Sequence, residues 1–181
     1  MGNIKKFRKK FETPKKLWNK DSIVAEKELM RRYGFKNKKE IWKIGTILNN
    51  FKQQAKKIIR TRGEQAEVEK QQLMNKLTRL GILKADSTLD DVLSLTREDL
   101  MERRLQTIVY KKNLATSQKQ ARQMIVHKHI VVGDKKITSP SYLLSVEEEN
   151  QVGYSPYSKF QSEGHAEREV INLKLQSENT E

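Results

Sequence analysis

The chain has 181 residues, contains no cysteine, and carries 37 Lys and Arg against 23 Asp and Glu, a formal net charge of +14. The length allows one good-sized domain or two small ones, and the lack of cysteine excludes disulfides and thiolate chemistry. Only 35% of residues are hydrophobic. The core is therefore modest, and we predict that parts of the chain order only against a partner.

The charge is divided unevenly along the chain. Residues 1–145 carry 34 Lys and Arg against 15 Asp and Glu, whereas residues 146–181 carry 3 against 8. A body this basic needs an acidic partner, of which nucleic acid is the commonest and an anionic membrane surface the alternative. No apolar run is long enough to span a membrane, and the basic N-terminus lacks the apolar segment of a secretory signal. The absence of cysteine suits the cytoplasm.

Residues 1–20 form a basic arm, in which Phe7, Phe11 and Trp18 interrupt the positive charge. Such a segment is too charged to fold alone, and we predict that its cations bind RNA phosphates while its aromatic rings stack or anchor. On this interpretation the arm orders only on RNA; a plain disordered tail is the alternative. The arm cations assigned to RNA are Lys5, Lys6, Arg8, Lys9, Lys10, Lys15 and Lys16.

A helical domain is predicted over residues 21–95. Apolar residues recur at intervals of three and four, which lines one face of a helix, and Gly34 and Gly81 are placed to end helices. We interpret the apolar faces as helix packing and Trp42 as part of the core. The predicted helices cover residues 22–34, 38–60 and 64–80, with one further turn at residues 90–93.

Residues 96–145 predict a small domain of helix, turn, helix and hairpin. Thr96 and Ser117 each begin a pattern typical of a helix N-terminus, close to a capping box. The period then changes to two at residues 130–132, and Gly133-Asp134 is typical of a tight hairpin turn that returns through residues 135–137.

One side of these two helices is predicted to be apolar and the other cationic. Because residues seven apart return to the same face of a helix, Arg104 and Lys111 should project together from a helix that begins near Thr96. The predicted phosphate-binding cations are Arg103, Arg104, Lys111, Lys119, Arg122, Lys128, Lys135 and Lys136. Gln123, His127 and His129 are predicted to add hydrogen bonds to the RNA backbone or its 2′-hydroxyls.

Catalysis and metal binding find little support. His127 and His129 would point the same way in a strand, but no third or fourth ligand accompanies them and Lys128 opposes a cation. Helix capping explains the acidic pairs at residues 90–91 and 98–99, and no nucleotide-binding or hydrolase motif is present. We therefore predict no cofactor, no metal and no enzymatic activity.

The acidic segment at residues 146–181 is rich in Ser, Glu, Gln and Asn. It cannot bury enough apolar surface to offset the entropy of ordering. We predict disorder from about residue 160, and a hypothesis is that this tail shields the basic face before a partner binds.

The stretch ERRLQTIVYKKNLATSQKQARQMIVHKHIVVGDKKITSPSY, residues 102–142, closely resembles the RNA-binding domain of the universal small-subunit ribosomal protein number four. The segments MGNIKKFRKKFETP, EKELMRRYGFKNKKEIW, LTRLGIL and TLDDVLSLTREDLMERRLQ resemble its archaeal and eukaryotic branch. The resemblance covers residues 1–157. It agrees with an α+β, mostly α fold: a helical N-terminal domain, a small RNA-binding domain of two helices and a β-hairpin or short sheet, and a disordered acidic tail.

The resemblance implies a structural, non-enzymatic protein of the small ribosomal subunit. Such a protein binds a helix junction in the 5′ domain of the subunit RNA, nucleates assembly and, with the universal protein number five, contributes to accuracy. It is not expected to form an independent oligomer. The family's basic motifs match Glu102–Gln106, Ala121–Gln123 and His127–Ile130. A free RNA-binding regulator acting on ribosomes or stalled translation complexes is the alternative.

This chain departs from the family pattern in three places. Gly133-Asp134 replaces the usual Asn-Gly turn, which puts a carboxylate near the RNA side. Lys112-Asn113 stands where a basic residue and Gly are typical, and Asn tolerates the left-handed conformation. The Cys-rich zinc site of some bacterial relatives is absent.

Overall fold

A computed structural model of the chain describes residues 9–61, 63–162, 165, 168, 170 and 171. Within this part of the chain the fold is mostly helical with one small antiparallel sheet, which confirms the predicted fold class. The elements are α1 Lys20–Tyr33, α2 Lys38–Arg60, α3 Glu64–Arg79, α4 Leu89–Ser94, α5 Arg97–Glu102, α6 Leu105–Lys111, α7 Gln118–Val126, β1 Ile130–Val132, α8 Val146–Asn150 and β2 Val152–Tyr154, followed by a 3-10 turn at Lys159–Gln161.

The first core is organised around α2. This helix packs against α1, α3, α4 and α5, and its apolar stripe is buried along its whole length. The stripe is the one that the spacing of three and four predicted. Its residues are Ile41, Ile44, Leu48, Phe51, Ala55 and Ile58.

The predicted helix ends are confirmed where a local signal marks them. Thr96 and Asp99 exchange the reciprocal contacts of a capping box, and the Ser117 hydroxyl accepts from the backbone N–H of Gln120 at 3.2 Å. Gly34 ends α1 with φ of 61°, and Asn113 adopts φ of 55° in the turn before α7. These signals are local, because each cap satisfies backbone groups within a few residues of itself.

The helix predicted from Thr96 is broken in two, which the sequence did not indicate. α5 ends at Glu102 and α6 begins at Leu105, with Arg104 between them in an extended conformation. The segment at residues 142–144 crosses the chain at this break and forms backbone hydrogen bonds with it. Leu105 N–H donates to the Tyr142 carbonyl at 2.8 Å, and Leu144 N–H donates to the Arg103 carbonyl at 3.1 Å. Arg104 and Lys111 therefore do not share a helical face.

The strand β1 pairs with β2, not with the predicted return strand at residues 135–137. The register joins Ile130 to Tyr154 and Val132 to Val152. The predicted turn itself is present, since Gly133 has φ of 57° and Val132 exchanges two backbone hydrogen bonds with Lys135. β2 can bury Val152 on the core side, whereas the returning Lys135-Lys136 pair is charged and exposed.

The second core lies between α6, α7 and the small sheet, and it continues past residue 145. Val152 is buried in it, and Tyr154 and Phe160 pack against it. Most of the segment expected to be disordered, from about residue 160, falls outside the described residues. The other buried members are Leu105, Ile108, Val109, Ala115, Ala121, Met124, Ile125, Ile130, Val132 and Leu144.

The residues that build the first and the second core are called the first and the second domain from here on, and the end of α1 docks on the second domain through Gln106, which is 1% exposed. Its side-chain amide donates to the carbonyls of Tyr33 at 3.1 Å and Gln118 at 2.9 Å. Gly34 lies directly beneath this contact, and a Cβ atom there would meet the Gln118 Cβ at 2.9 Å. One buried amide thus joins α1, α6 and α7.

Replacing Gly34 with Ala should destabilise the protein by more than the about 1–2 kcal/mol that a left-handed alanine costs, because the new methyl group also overlaps Gln118. The measurement is the free energy of unfolding in urea. Gly153→Ala is the control, since no atom lies within 4 Å of its Cβ position and its effect should stay within about 0.5 kcal/mol. Equal stability of the two variants would contradict the close docking of α1.

Candidate nucleic-acid interface

A carboxylate from the first domain binds two arginines of the second. Glu40, in the first turn of α2, accepts from Arg104 Nη2 at 2.9 Å. It also accepts from both terminal nitrogens of Arg122, at 2.8 and 3.1 Å. The Arg104 side chain is 2% exposed, and its guanidinium lies 4.6 Å from the centroid of the Phe35 ring.

The electrostatics of this cluster follow from burial and from the shared charge. Burial raises the pKa of Glu40, but the hydrogen bonds and charges of Arg122 and Arg104 outweigh burial and leave the pKa below its ordinary value. Burial lowers the pKa of Arg104, although a guanidinium stays charged in proteins. The carboxylate is therefore ionised and is needed to stabilise both cations.

Arg103 and Arg104, which the sequence predicts to contact RNA, are paired with carboxylates of the protein itself in the structure. Arg104 is buried against Glu40, and Arg103, whose side chain is 15% exposed, donates to Glu149 of α8 at 2.7 Å. Both acidic partners lie more than forty residues away in the chain. No local pattern in the sequence indicates pairing at such a separation.

The predicted lysines are at the surface. Lys119 on α7, Lys128 after it, and Lys135 and Lys136 at the turn after β1 are all exposed. Lys111 is also exposed, but its ammonium contacts Glu102 at 2.7 Å. Among the described residues these four lysines, unlike Lys111, have no carboxylate within 4 Å, and we refer to Lys119, Lys128, Lys135 and Lys136 together as the basic surface.

Three predicted polar contacts border this basic surface. Gln123 and His127 are exposed, and His129 is half-buried with Nδ1 lying 2.9 Å from the Ser158 hydroxyl. The two imidazole centroids are 6.4 Å apart, and they are not in one strand, because His127 caps α7 and Lys128 has φ of 65°. Among the described residues, no three His, Asp or Glu side chains group as metal ligands would.

The basic arm runs along α2 where the structure describes it. The Phe11 ring lies 6.0 Å from the Trp42 ring, and the Glu12 N–H donates to the Thr46 hydroxyl at 2.9 Å. Trp42 is half-buried, and its indole N–H donates to Glu26 at 2.9 Å, which fits its interpretation as a packing residue. That the arm orders only on RNA stays a prediction.

The arm cations divide between described and undescribed residues. Lys9, Lys10, Lys15 and Lys16 are exposed, and Trp18 beside them is 91% exposed. The remaining predicted arm contacts, Lys5, Lys6 and Arg8, lie outside the described residues.

Sequence reasoning missed Tyr157 as a candidate contact. Its ring is 88% exposed, and the Lys136 ammonium lies 4.6 Å from its centroid. Ser155 and Ser158 on either side are buried and joined by a backbone hydrogen bond of 2.9 Å. An aromatic ring held beside a cation is the arrangement that stacks on bases. The signal available in the sequence is the stretch YSPYS at residues 154–158, in which two tyrosines lie on either side of a proline.

The small basic domain of two helices and a short sheet places the chain in the class of proteins that contain an S4 domain. Residues 103–150 match the model of that domain. In the described part of the chain, every helix is too short or too polar to span a lipid bilayer.

Two curated relatives show the family. The chain is 50% identical over 169 residues to the small ribosomal subunit protein uS4 of Methanococcus aeolicus, covering 93% of this chain and 96% of that protein. It is 48% identical over 163 residues to the protein of the same name from Saccharolobus islandicus, covering 90% of each. The chain belongs to the uS4 family, in its archaeal and eukaryotic branch, which confirms the resemblance. It is not an enzyme.

Replacing Glu40 with Gln should destabilise the protein by about 3 kcal/mol, because the buried Arg104 and the half-buried Arg122 then share a site without a full charge to balance them. Urea unfolding measures the change. Glu98→Gln is the matched control, since its ion pair with Arg32 is solvent-exposed on both sides and should contribute at most about 1 kcal/mol.

The same two variants should differ in their dependence on pH. The folded-state pKa of Glu40 lies below the ordinary 4.5, so its stabilising contribution is complete above that value and is lost as pH falls through the folded pKa. Stability of the wild type and of Glu98→Gln should therefore fall on acidification more steeply than that of Glu40→Gln. Parallel curves for all three would contradict the assignment of an ionised Glu40.

Proposed function

We propose that this protein is a structural component of the small ribosomal subunit and binds its RNA directly. The observation that carries the proposal is the basic surface, four lysines exposed on a domain of the S4 type. Family membership supports the ribosomal role. A cytoplasmic location, within the subunit, follows from that role.

Affinity arises mainly from phosphate neutralisation. Each lysine of the basic surface that meets a phosphate releases counterions, which makes binding strongly dependent on salt. Lysine is a compact charge on a flexible stem, so these contacts adapt to the course of the backbone. Recognition then follows the shape of the folded RNA more than its base sequence.

Neutral groups refine the contact. Gln123 and His127 are exposed at the border of the basic surface and can donate to phosphate oxygens or 2′-hydroxyls. Tyr157 offers a ring face to an unpaired base. The arm adds Lys9, Lys10 and the neighbouring cations along α2, so the RNA surface extends over both domains.

The finer roles proposed for this chain are those of the family. It binds a helix junction in the 5′ domain of the subunit RNA, nucleates assembly there and, beside the universal protein number five, contributes to translational accuracy. Support comes from the contacts that join the two domains. Glu40 and Gln106 hold the basic arm on α2 and the basic surface in one relative orientation. A protein that binds a junction of several RNA helices needs such a fixed orientation.

Filter binding of the purified chain to the 5′ domain of its subunit RNA, across a salt series, tests the proposal. Specific binding should persist at salt concentrations that remove a scrambled RNA of equal length. Lys128→Ala should weaken binding and reduce the slope of log affinity against log salt by about 0.9, since one phosphate contact is lost.

Lys70→Ala is the control, because Lys70 is exposed on α3 and outside the proposed surface. It should leave the slope unchanged. Identical affinities for the junction and the scrambled RNA would overturn the ribosomal-RNA assignment and favour a free RNA-binding regulator. A slope insensitive to Lys128→Ala would remove that residue from the interface.

A further inference from the structure

A cleft lies between the two domains, beside the Glu40 cluster. Its walls come from α2, α5, the α5–α6 junction, α7, residues 140–141 and Leu143, and they enclose about 260 Å³. The polar lining includes Lys43, Arg122 and Ser141, of which Lys43 and Ser141 are exposed. The other lining residues are Glu40, Ile44, Ile47, Leu100, Arg104, Pro140 and Leu143.

The charge in this cleft is not balanced by the protein. Three cations line it, Lys43, Arg104 and Arg122, against the single carboxylate of Glu40. Glu40 is already shared between the two arginines. Lys43 has no acidic partner within 4 Å among the described residues, and two further nitrogens of the buried Arg104, Nε and Nη1, have no hydrogen-bond acceptor.

The apolar walls strengthen this excess of positive charge. Ile44, Leu100 and Leu143 line the cleft with groups that cannot screen a charge. Clefts with cations on low-dielectric walls concentrate the field and attract anions. The volume exceeds that of a liquid water molecule, about 30 Å³, several-fold, so a tetrahedral anion fits inside.

We propose that this interdomain cleft binds a phosphate group of the RNA backbone. Lys43 supplies a point charge, Arg122 supplies guanidinium charge held in place by Glu40, and the Ser141 hydroxyl donates a hydrogen bond. The proposal rests on the proposed function and deepens it. It places an RNA contact on α2, outside the S4 domain, so that one strand of RNA touches both domains.

RNA is favoured over an acidic peptide because of where the cleft lies. Arg122 follows Lys119 by three residues on α7, one turn along the same helix, and Lys119 belongs to the basic surface. The cleft therefore extends that surface toward α2.

The test compares two lysine variants of α2 in the full chain. Lys43→Ala removes the cation in the cleft, and Lys56→Ala removes an exposed lysine of the same helix that does not line it. Both should unfold like the wild type, because both side chains are exposed. The probe is the 5′ domain RNA across a salt series.

Lys43→Ala should reduce the slope of log affinity against log salt by about 0.9, whereas Lys56→Ala should not. Since such lines converge near 1 M salt, the slope difference corresponds to about an eightfold loss of affinity at 0.1 M salt. If Lys43→Ala matches the wild type, or if both variants lose equally, the cleft is not a phosphate site. If the wild type bound the 5′ domain RNA and a scrambled RNA of equal length with the same affinity, the proposed function itself would be overturned instead.

Two further probes distinguish other occupants of the cleft. Inorganic phosphate should raise the unfolding temperature of the wild type more than chloride at equal ionic strength, and less so for Lys43→Ala. If phosphate stabilises the wild type in this way but Lys43→Ala leaves the slope of log RNA affinity against log salt unchanged, the cleft binds free phosphate and the RNA proposal is overturned. Binding of a glutamate-rich peptide that depends on Lys43, again with an unchanged RNA slope, would assign it to an acidic protein.

Discussion

The structure depends on one half-buried carboxylate. Glu40 lies at the start of the helix that organises the first core, and it accepts hydrogen bonds from two arginines of the second domain. Two guanidinium groups confined to one site repel each other unless an anion lies between them. The geometry of this cluster therefore sets how α7 is placed against α2. It thereby also sets how the basic arm on α2 and the basic surface are oriented relative to one another for binding RNA.

The cations predicted to bind RNA in the second domain fall into two groups that make different contacts. The arginines at positions 103, 104 and 122 contact carboxylates, and their planar forked groups suit such paired hydrogen bonds. The basic surface is made of exposed lysines, whose ammonium groups are strongly hydrated point charges on flexible stems. Net charge alone does not distinguish these groups, because each contributes one positive charge whether it joins domains or faces solvent.

The second domain is closed by a part of the chain that composition alone assigns to a tail. Val152 pairs with β1 and enters the second core, and Phe160 packs beside it. Upstream, residues 142–144 hydrogen-bond to the α5–α6 junction, and Leu143 among them lines the cleft that faces α2. The segment that follows the basic turn thus shapes both the core and the proposed RNA-binding surface.

The sequence by itself determined the local structure and the class of partner. Interactions within a few residues account for the apolar stripe of α2, the caps at Thr96 and Ser117, and the glycine that ends α1. The excess of positive charge indicates an anionic partner whichever fold the chain adopts. Only the tertiary structure decided that the helix breaks at Arg104, that β1 pairs with β2, and that Glu40 lies between two arginines. Those outcomes depend on contacts between residues far apart in the chain, where many pairings satisfy the same local pattern and packing selects one.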